Sequence, residues 1–279
     1  MLSYRHAFHA GNFADVLKHT VLVQILRYLG QKDKAFCYVD THAGPGDYVL
    51  TSEYALKNRE FDNGIGRLWQ RDDTPACVAD YVQLAKQANA GGQLGHYPGS
   101  PRFAKILLRP QDRLFLYELH PTEQKILQKS LGGDKRATII ADDGLKHASG
   151  LLPPHERRGL VLIDPSYELK NDYESVVETL IKMHKRFATG TYALWYPVVS
   201  RRRTQALEHA LHRSGIANMH LFELGVQEDS QAPGMTACGM LVINPPWTLP
   251  AEMQTTLPWL ADTLGIDGAG FYRIQTLAE

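Results

Sequence analysis

Apolar positions recur every three or four residues across 12–30. Phe13, Val16, Leu17, Val21, Ile25 and Leu29 keep register, so the pattern predicts an amphipathic helix over 12–30. A short continuous apolar run follows at 35–40 and predicts a buried strand. Comparable runs at 113–118, 137–141, 159–164, 191–196, 219–224 and 236–243 predict six more. Helical periodicity at 121–131, 143–151, 172–187 and 200–214 falls between most of them. Strand alternating with helix predicts an α/β protein built on a Rossmann-like, doubly wound, seven-stranded sheet. The last two runs are joined by the polar stretch 227–233, too short for a crossover helix. They are expected to form an antiparallel hairpin that closes the sheet edge.

One interval breaks this rhythm. About 65 residues separate the first glycine-containing loop from the next strand, where a βαβ unit needs roughly 30 in all. Helical patterns around 65–69 and 76–88 fill it, with no convincing strand, so residues 48–96 are expected to be a helical insertion within a single domain spanning 1–279. Composition adds limits. Thirty Lys and Arg balance thirty Asp and Glu, so a polyanionic partner would have to be met by local patches. The 3 cysteines show no CxxC spacing, which supports neither a zinc site nor a disulfide framework. No apolar run is long enough to span a bilayer and no signal-peptide core is visible, so a cytoplasmic protein without membrane or metal is expected.

Candidate chemistry gathers at the carboxyl ends of the strands, where open α/β sheets bind ligands. The first strand runs into Asp40-Thr41-His42-Ala43-Gly44-Pro45-Gly46, whose glycines allow positive φ and close approach to a ligand; the alternative is a tight turn without one. The loop lacks the third glycine of the dinucleotide fingerprint and is not a Walker loop, which disfavours NAD and ATP. Glu118 ends the second strand and could bind ribose hydroxyls. Asp142-Asp143-Gly144 follows the third; either aspartate could be a helix N-cap or could bind an adenine amine. Asp164-Pro165-Ser166-Tyr167 follows the fourth. There a carboxylate and the Pro165 carbonyl could accept both N–H bonds of an exocyclic amine while Tyr167 stacks on the base. Asn244-Pro245-Pro246-Trp247 spells such a motif more closely, but it follows an antiparallel strand and is read as a structural turn. The basic, aromatic segment from Ser3 to Asn12 and the run Arg201-Arg202-Arg203 are candidates for nucleic-acid contact, or else a capping arm and a solvated helix start.

Tyr4-Arg5-His6, Phe8-His9-Ala10-Gly11-Asn12, Ala14-Asp15-Val16-Leu17-Lys18-His19 and Asp40-Thr41-His42-Ala43-Gly44 together closely resemble the RlmJ family, bacterial 23S ribosomal RNA (adenine-N6)-methyltransferases. Tyr97-Pro98-Gly99-Ser100-Pro101, Glu118-Leu119-His120-Pro121 and the stretch 186–199 extend the resemblance over nearly the whole chain. It implies a class I S-adenosylmethionine-dependent fold whose last strand is antiparallel, with a small helical insertion. It implies S-adenosyl-L-methionine held by His19, His42, Ser100, Glu118, Asp143, Gly144 and Asp164. Asp164 is then the catalytic residue, with Tyr4, His6, Lys18 and Tyr167 on the RNA side. The implied target is adenine 2030 of 23S ribosomal RNA, met by a monomer as free or early-assembly RNA. The family has a second proline where this chain has Ser166, which bears on rate more than on reaction type. Two other classes fit parts of the pattern: a non-catalytic RNA-binding protein on this fold, and a DNA adenine methyltransferase.

Overall fold

The computed structural model describes residues 5–168, 171–230 and 234–278. In chain order the elements are α1 (Phe13–Gly30), β1 (Cys37–Asp40), β2 (Asp47–Val49), α2 (Glu53–Asn58), α3 (Ile65–Leu68), α4 (Ala76–Lys86), β3 (His96–Pro98), α5 (Ser100–Leu107), β4 (Arg113–Tyr117) and α6 (Pro121–Leu131). Then come β5 (Ala137–Ile140), α7 (Gly144–His147), β6 (Gly159–Ile163), α8 (Asp172–Arg186), β7 (Thr191–Val198), α9 (Arg201–His212), β8 (Met219–Gly225), β9 (Ala237–Ile243), α10 (Leu249–Leu264) and β10 (Phe271–Ala278). All seven strands read from the sequence are present, each within a few residues of its expected bounds.

The main sheet has the order β10-β8-β9-β7-β6-β1-β4-β5. β5, β4, β1, β6 and β7 run parallel, while β9 is antiparallel to both β7 and β8. The hairpin of β8 and β9 therefore forms as expected, but the chain folds it inward, placing β9 beside β7. The outer edge belongs to an eighth strand, β10, antiparallel to β8. Side chains alternate across the sheet as the pleat requires. Tyr38, Leu160 and Leu162 enter the core under α1, α4, α5 and α10. Cys37, Val39, Val161 and Ile163 enter the core on the opposite face, under α8 and α9.

α1 is buried around most of its circumference, including the polar residues Asp15, Lys18, His19, Thr20 and Gln24. Asn12 precedes it as the N-cap, its Oδ1 accepting from the amides of Ala14 and Asp15 at 3.0 and 3.1 Å. β2 and β3 pair with each other, Asp47 opposite Pro98. This closes the interval between β1 and α5 at its base, so the helices α2, α3 and α4 leave and return at adjacent points.

Glu223 on β8 is 1% exposed and ties three elements together. Its carboxylate takes Arg201 of α9 at 2.7 Å, the Tyr196 hydroxyl of β7 at 3.1 Å and Arg273 of β10 at 3.3 Å. Arg201 keeps Asp229 and Arg273 keeps Glu208 when Glu223 loses its charge, so the penalty is smaller than that of a fully unpaired buried ion. Glu223→Gln is therefore expected to lower stability by about 2–3 kcal/mol in a denaturant titration; an unchanged midpoint would mean that the network contributes nothing.

Candidate active site

Register places four acidic residues along one edge of the sheet. Asp40 ends β1 opposite Leu116 and Leu162. Glu118 and Asp164 lie two residues beyond those partners, and Asp143 follows β5. Each was legible as a strand-end acid, but their surroundings differ.

Asp40 is fully buried and organises the glycine loop. Its Oδ2 accepts from the Tyr38 hydroxyl at 2.7 Å and the Ser100 hydroxyl at 2.6 Å; its Oδ1 accepts from the His42 amide at 3.1 Å. Gly44 and Gly46 have φ of +60° and +85°, which the loop could not adopt cheaply with side chains there. The Gly44 amide donates to Glu118 Oε2 at 2.8 Å and the His120 amide to Glu118 Oε1 at 2.7 Å. Burial raises the Glu118 pKa despite these donors. Asp143 is the N-cap of α7 and also meets Lys146 Nζ at 2.8 Å. The cap reading is thus correct for Asp143, and its charge also acts to raise the His42 pKa. Burial outweighs that and pushes the His42 imidazole down to about 4, so the ring is neutral at physiological pH. Gly144 sits against the loop so closely that a Cβ would lie 2.2 Å from the Thr41 carbonyl oxygen.

His19 is 1% exposed and its Nδ1 pairs with the Tyr97 hydroxyl at 2.6 Å, which in turn meets Tyr81 at 3.0 Å. Its Nε2 is buried with no hydrogen-bond partner in the protein. A buried imidazole nitrogen without a partner is unfavourable unless a ligand supplies one. Together with half-buried Glu118, the positive-φ loop and Ser100, whose lone pairs remain after it donates to Asp40, this donor and acceptor set fits a zwitterionic nucleoside such as S-adenosylmethionine.

Asp164 is reached by Lys18 Nζ at 2.7 Å, and the same ammonium lies 2.8 Å from Asp15 Oδ1. His6 Nε2 meets the other oxygen of Asp15 at 2.9 Å. His6, Lys18 and Asp164 therefore converge, although Lys18 is 4% exposed and reaches the pocket from inside the protein. Tyr167 has φ +54°, and its hydroxyl donates to the Trp195 carbonyl at 2.7 Å. Its ring packs 4.6 Å from Tyr173 and 5.9 Å from Trp195, so it is held in place by the protein itself. Tyr4 lies outside the described residues. The rival motif is a turn: Asn244 Nδ2 donates to the carbonyls of Ala188 and Gly190, at the amino edge of β7. Arg201 is committed to Glu223 and Asp229, leaving Arg202 and Arg203 exposed at the start of α9. Sequence reasoning gave no role to Asp15 or Trp195. The signal for Asp15 was its i, i+3 spacing to Lys18 on an otherwise apolar helix.

The fold is a Rossmann-like α/β fold on a mostly parallel sheet, and the family to which the chain belongs is one of methyltransferases. The family model described as ribosomal RNA large subunit methyltransferase D, RlmJ, matches residues 33–277, and the chain belongs to this family. The ribosomal RNA large subunit methyltransferase J of Haemophilus influenzae is 51% identical over 276 residues, covering 99% of this chain and 98% of that protein. The Escherichia coli protein of the same name is 52% identical over 270 residues, covering 97% and 96%. A Legionella pneumophila crystal structure superposes with a TM-score of 0.89 at 39% identity, covering 96% of this chain and 98% of the other.

Gly144→Ala tests whether the close approach of α7 to the Thr41 loop shapes the cofactor pocket. A methyl group there meets backbone, so the helix start must move. Calorimetric titration with S-adenosylmethionine is expected to show affinity about tenfold weaker, equivalent to about 1.4 kcal/mol; unaltered affinity would contradict this packing argument.

Proposed function

We propose that this protein transfers a methyl group from S-adenosylmethionine to the exocyclic N6 of an adenine in 23S ribosomal RNA, with adenine 2030 as the target. The observation that carries the reading is Asp164 at the carboxyl end of β6, held by Lys18 at 2.7 Å beside the glycine loop. Its side chain is 16% exposed, so it is sheltered but reachable. The two relatives named above support ribosomal RNA as the substrate. The reaction belongs in the cytoplasm, on free or early-assembly RNA, and needs one copy of the chain.

S-adenosylmethionine, when bound, supplies a methyl group already activated on a sulfonium. His19, His42, Ser100, Glu118, Asp143 and Gly144 would hold it, with Asp164 at the reacting end. Asp164 and the Pro165 carbonyl accept the two N–H bonds of the target amine, drawing its lone pair out of conjugation with the ring. Much of the acceleration is then alignment of that lone pair with the methyl carbon. Asp164 also receives the proton that the methylated nitrogen sheds. The base must leave its stack to reach this pocket, and Tyr167 flanks it there. Tyr167 suits that task because its hydroxyl bond to Trp195 fixes the ring before the base arrives. His6 and Lys18 close the RNA side.

Asp164→Asn keeps the shape of the side chain and removes its charge and basicity. It is expected to bind S-adenosylmethionine with little change while methyl transfer to deproteinised 23S RNA falls by about 100-fold or more. Full activity in the variant would overturn the assignment. Parallel reactions on duplex DNA, and the titration with cofactor, separate this reading from a DNA methyltransferase and from an RNA-binding protein without activity.

A further inference from the structure

Asp15 occupies a position that the fold alone does not explain. Its side chain is 0% exposed, inside a helix whose surroundings are otherwise largely apolar. Burying a carboxylate and an ammonium together rarely stabilises a fold relative to well-packed apolar side chains. Asp15 Oδ2 accepts from the Gly11 amide at 2.8 Å and meets His6 Nε2 at 2.9 Å, while Oδ1 lies 2.8 Å from Lys18 Nζ as an ion pair without hydrogen-bond geometry. Lys18 lies at almost the same distance, 2.7 Å, from Asp164. One ammonium thus lies between two carboxylates, hydrogen-bonded to Asp164 and ion-paired with Asp15, and only Asp164 borders the proposed pocket.

We propose that Asp15 is a positioning residue for Asp164: by facing Lys18 from the interior side, its charge offsets the ammonium, so that Lys18 orients Asp164 without leaving the site electrically neutral. The inference rests on the function proposed above. Asp15, Lys18 and Asp164 together carry one net negative charge, and Asp164 is the member through which that charge faces the pocket. A sulfonium methyl donor and a target nitrogen that becomes cationic are both favoured by such a field. Without Asp15, Lys18 and Asp164 would form a simple neutral pair, with Asp164 a poorer hydrogen-bond acceptor and a weaker base. Lys18 then fixes the direction of the carboxylate, while Asp15 sets how much of its charge is left for the substrate.

The charged and titratable groups around the pair are known from every side. Asp164 is faced by Lys18 and Asp15 of α1, by Tyr38 and Asp40 of β1, by His42 of the glycine loop and by Tyr167. Asp15 is faced by His6, His9, Lys18 and His19, by Tyr81 and Tyr97 from the segment after β2, and by Cys238 of β9. Lys18 keeps its proton, because the attraction of both carboxylates raises its pKa in spite of burial. His42 and His19 are held neutral by burial. Asp15 and Lys18 are thus fixed charges next to Asp164 across the working pH range.

The test is the pH dependence of kcat for methyl transfer to 23S RNA at saturating cofactor and RNA, for the full chain and three variants. The acidic limb of this profile reports the base on which transfer depends. Asp15→Asn leaves the Lys18 charge unshared, so that limb is expected to move down by about one unit, and Lys18→Gln to move it up by a similar amount. In Asp15→Asn the plateau rate is expected to fall by about 10- to 100-fold. S-adenosylmethionine affinity by titration is expected to stay within about threefold of the unaltered chain. The double variant Asp15→Asn, Lys18→Gln removes both fixed charges, and its limb is expected to return toward the original position. Comparing it with Lys18→Gln isolates the Asp15 charge even if Asp15→Asn alone does not fold. Limbs that stay in place, or a double variant whose limb coincides with that of Lys18→Gln, would overturn the proposal and reduce Asp15 to support for α1. Absence of methyl transfer by the unaltered chain would instead overturn the function on which the proposal rests.

Discussion

A single ammonium shared between two carboxylates connects the core of this protein to its chemistry. Lys18 projects from a helix that is buried on nearly all sides, and it meets Asp15 and Asp164 at 2.8 and 2.7 Å. For that to happen, α1 must lie across β9, β7 and β6 with its polar residues aimed at the carboxyl edge. The remaining packing serves this placement. The Asn12 cap fixes where the helix begins, and the apolar side chains of α4, α5 and α10 hold it against the sheet. An isolated charge in such surroundings would be strongly disfavoured, so each member of the trio depends on the others being present.

In the proposed site, a second buried carboxylate does for the cofactor side what Lys18 does for the acceptor side. Asp40 gathers Tyr38, Ser100 and the His42 amide, and so fastens the glycine loop to the start of α5. The pairing of β2 with β3 brings α5 to that place from across the inserted helices. His19, one residue along the helix from Lys18, completes the pocket wall with an Nε2 that finds no partner within the protein. The two halves of the site therefore share α1 as their common wall.

Most of the sheet was legible because parallel strands buried on both faces read as uninterrupted apolar runs. The strand-end acids were legible for the same reason, since the runs show where the carboxyl edge must be. What escaped has particular causes. β2 and β3 are three residues each and carry no run long enough to register. α10 contains Pro258 in its interior, and proline ordinarily ends a helix. β10 alternates between half-buried and exposed positions at a sheet edge, so it shows neither a buried run nor a clean alternation. The inward position of β9 depends on long-range pairing that local pattern does not encode. Asp15 drew no role from the sequence, and only its burial reveals that it and Lys18 point inward.

The central claim is that the Asp164 pocket methylates the exocyclic amine of an adenine in ribosomal RNA. It is tested most directly by incubating the unaltered chain with S-adenosylmethionine and unmethylated, deproteinised 23S RNA, then locating the new methyl group by nuclease mapping and mass spectrometry. The expected result is one N6-methyladenosine at a single position. A methyl group on a ring nitrogen, a ribose or a different base, or no methyl group at all, would contradict the account.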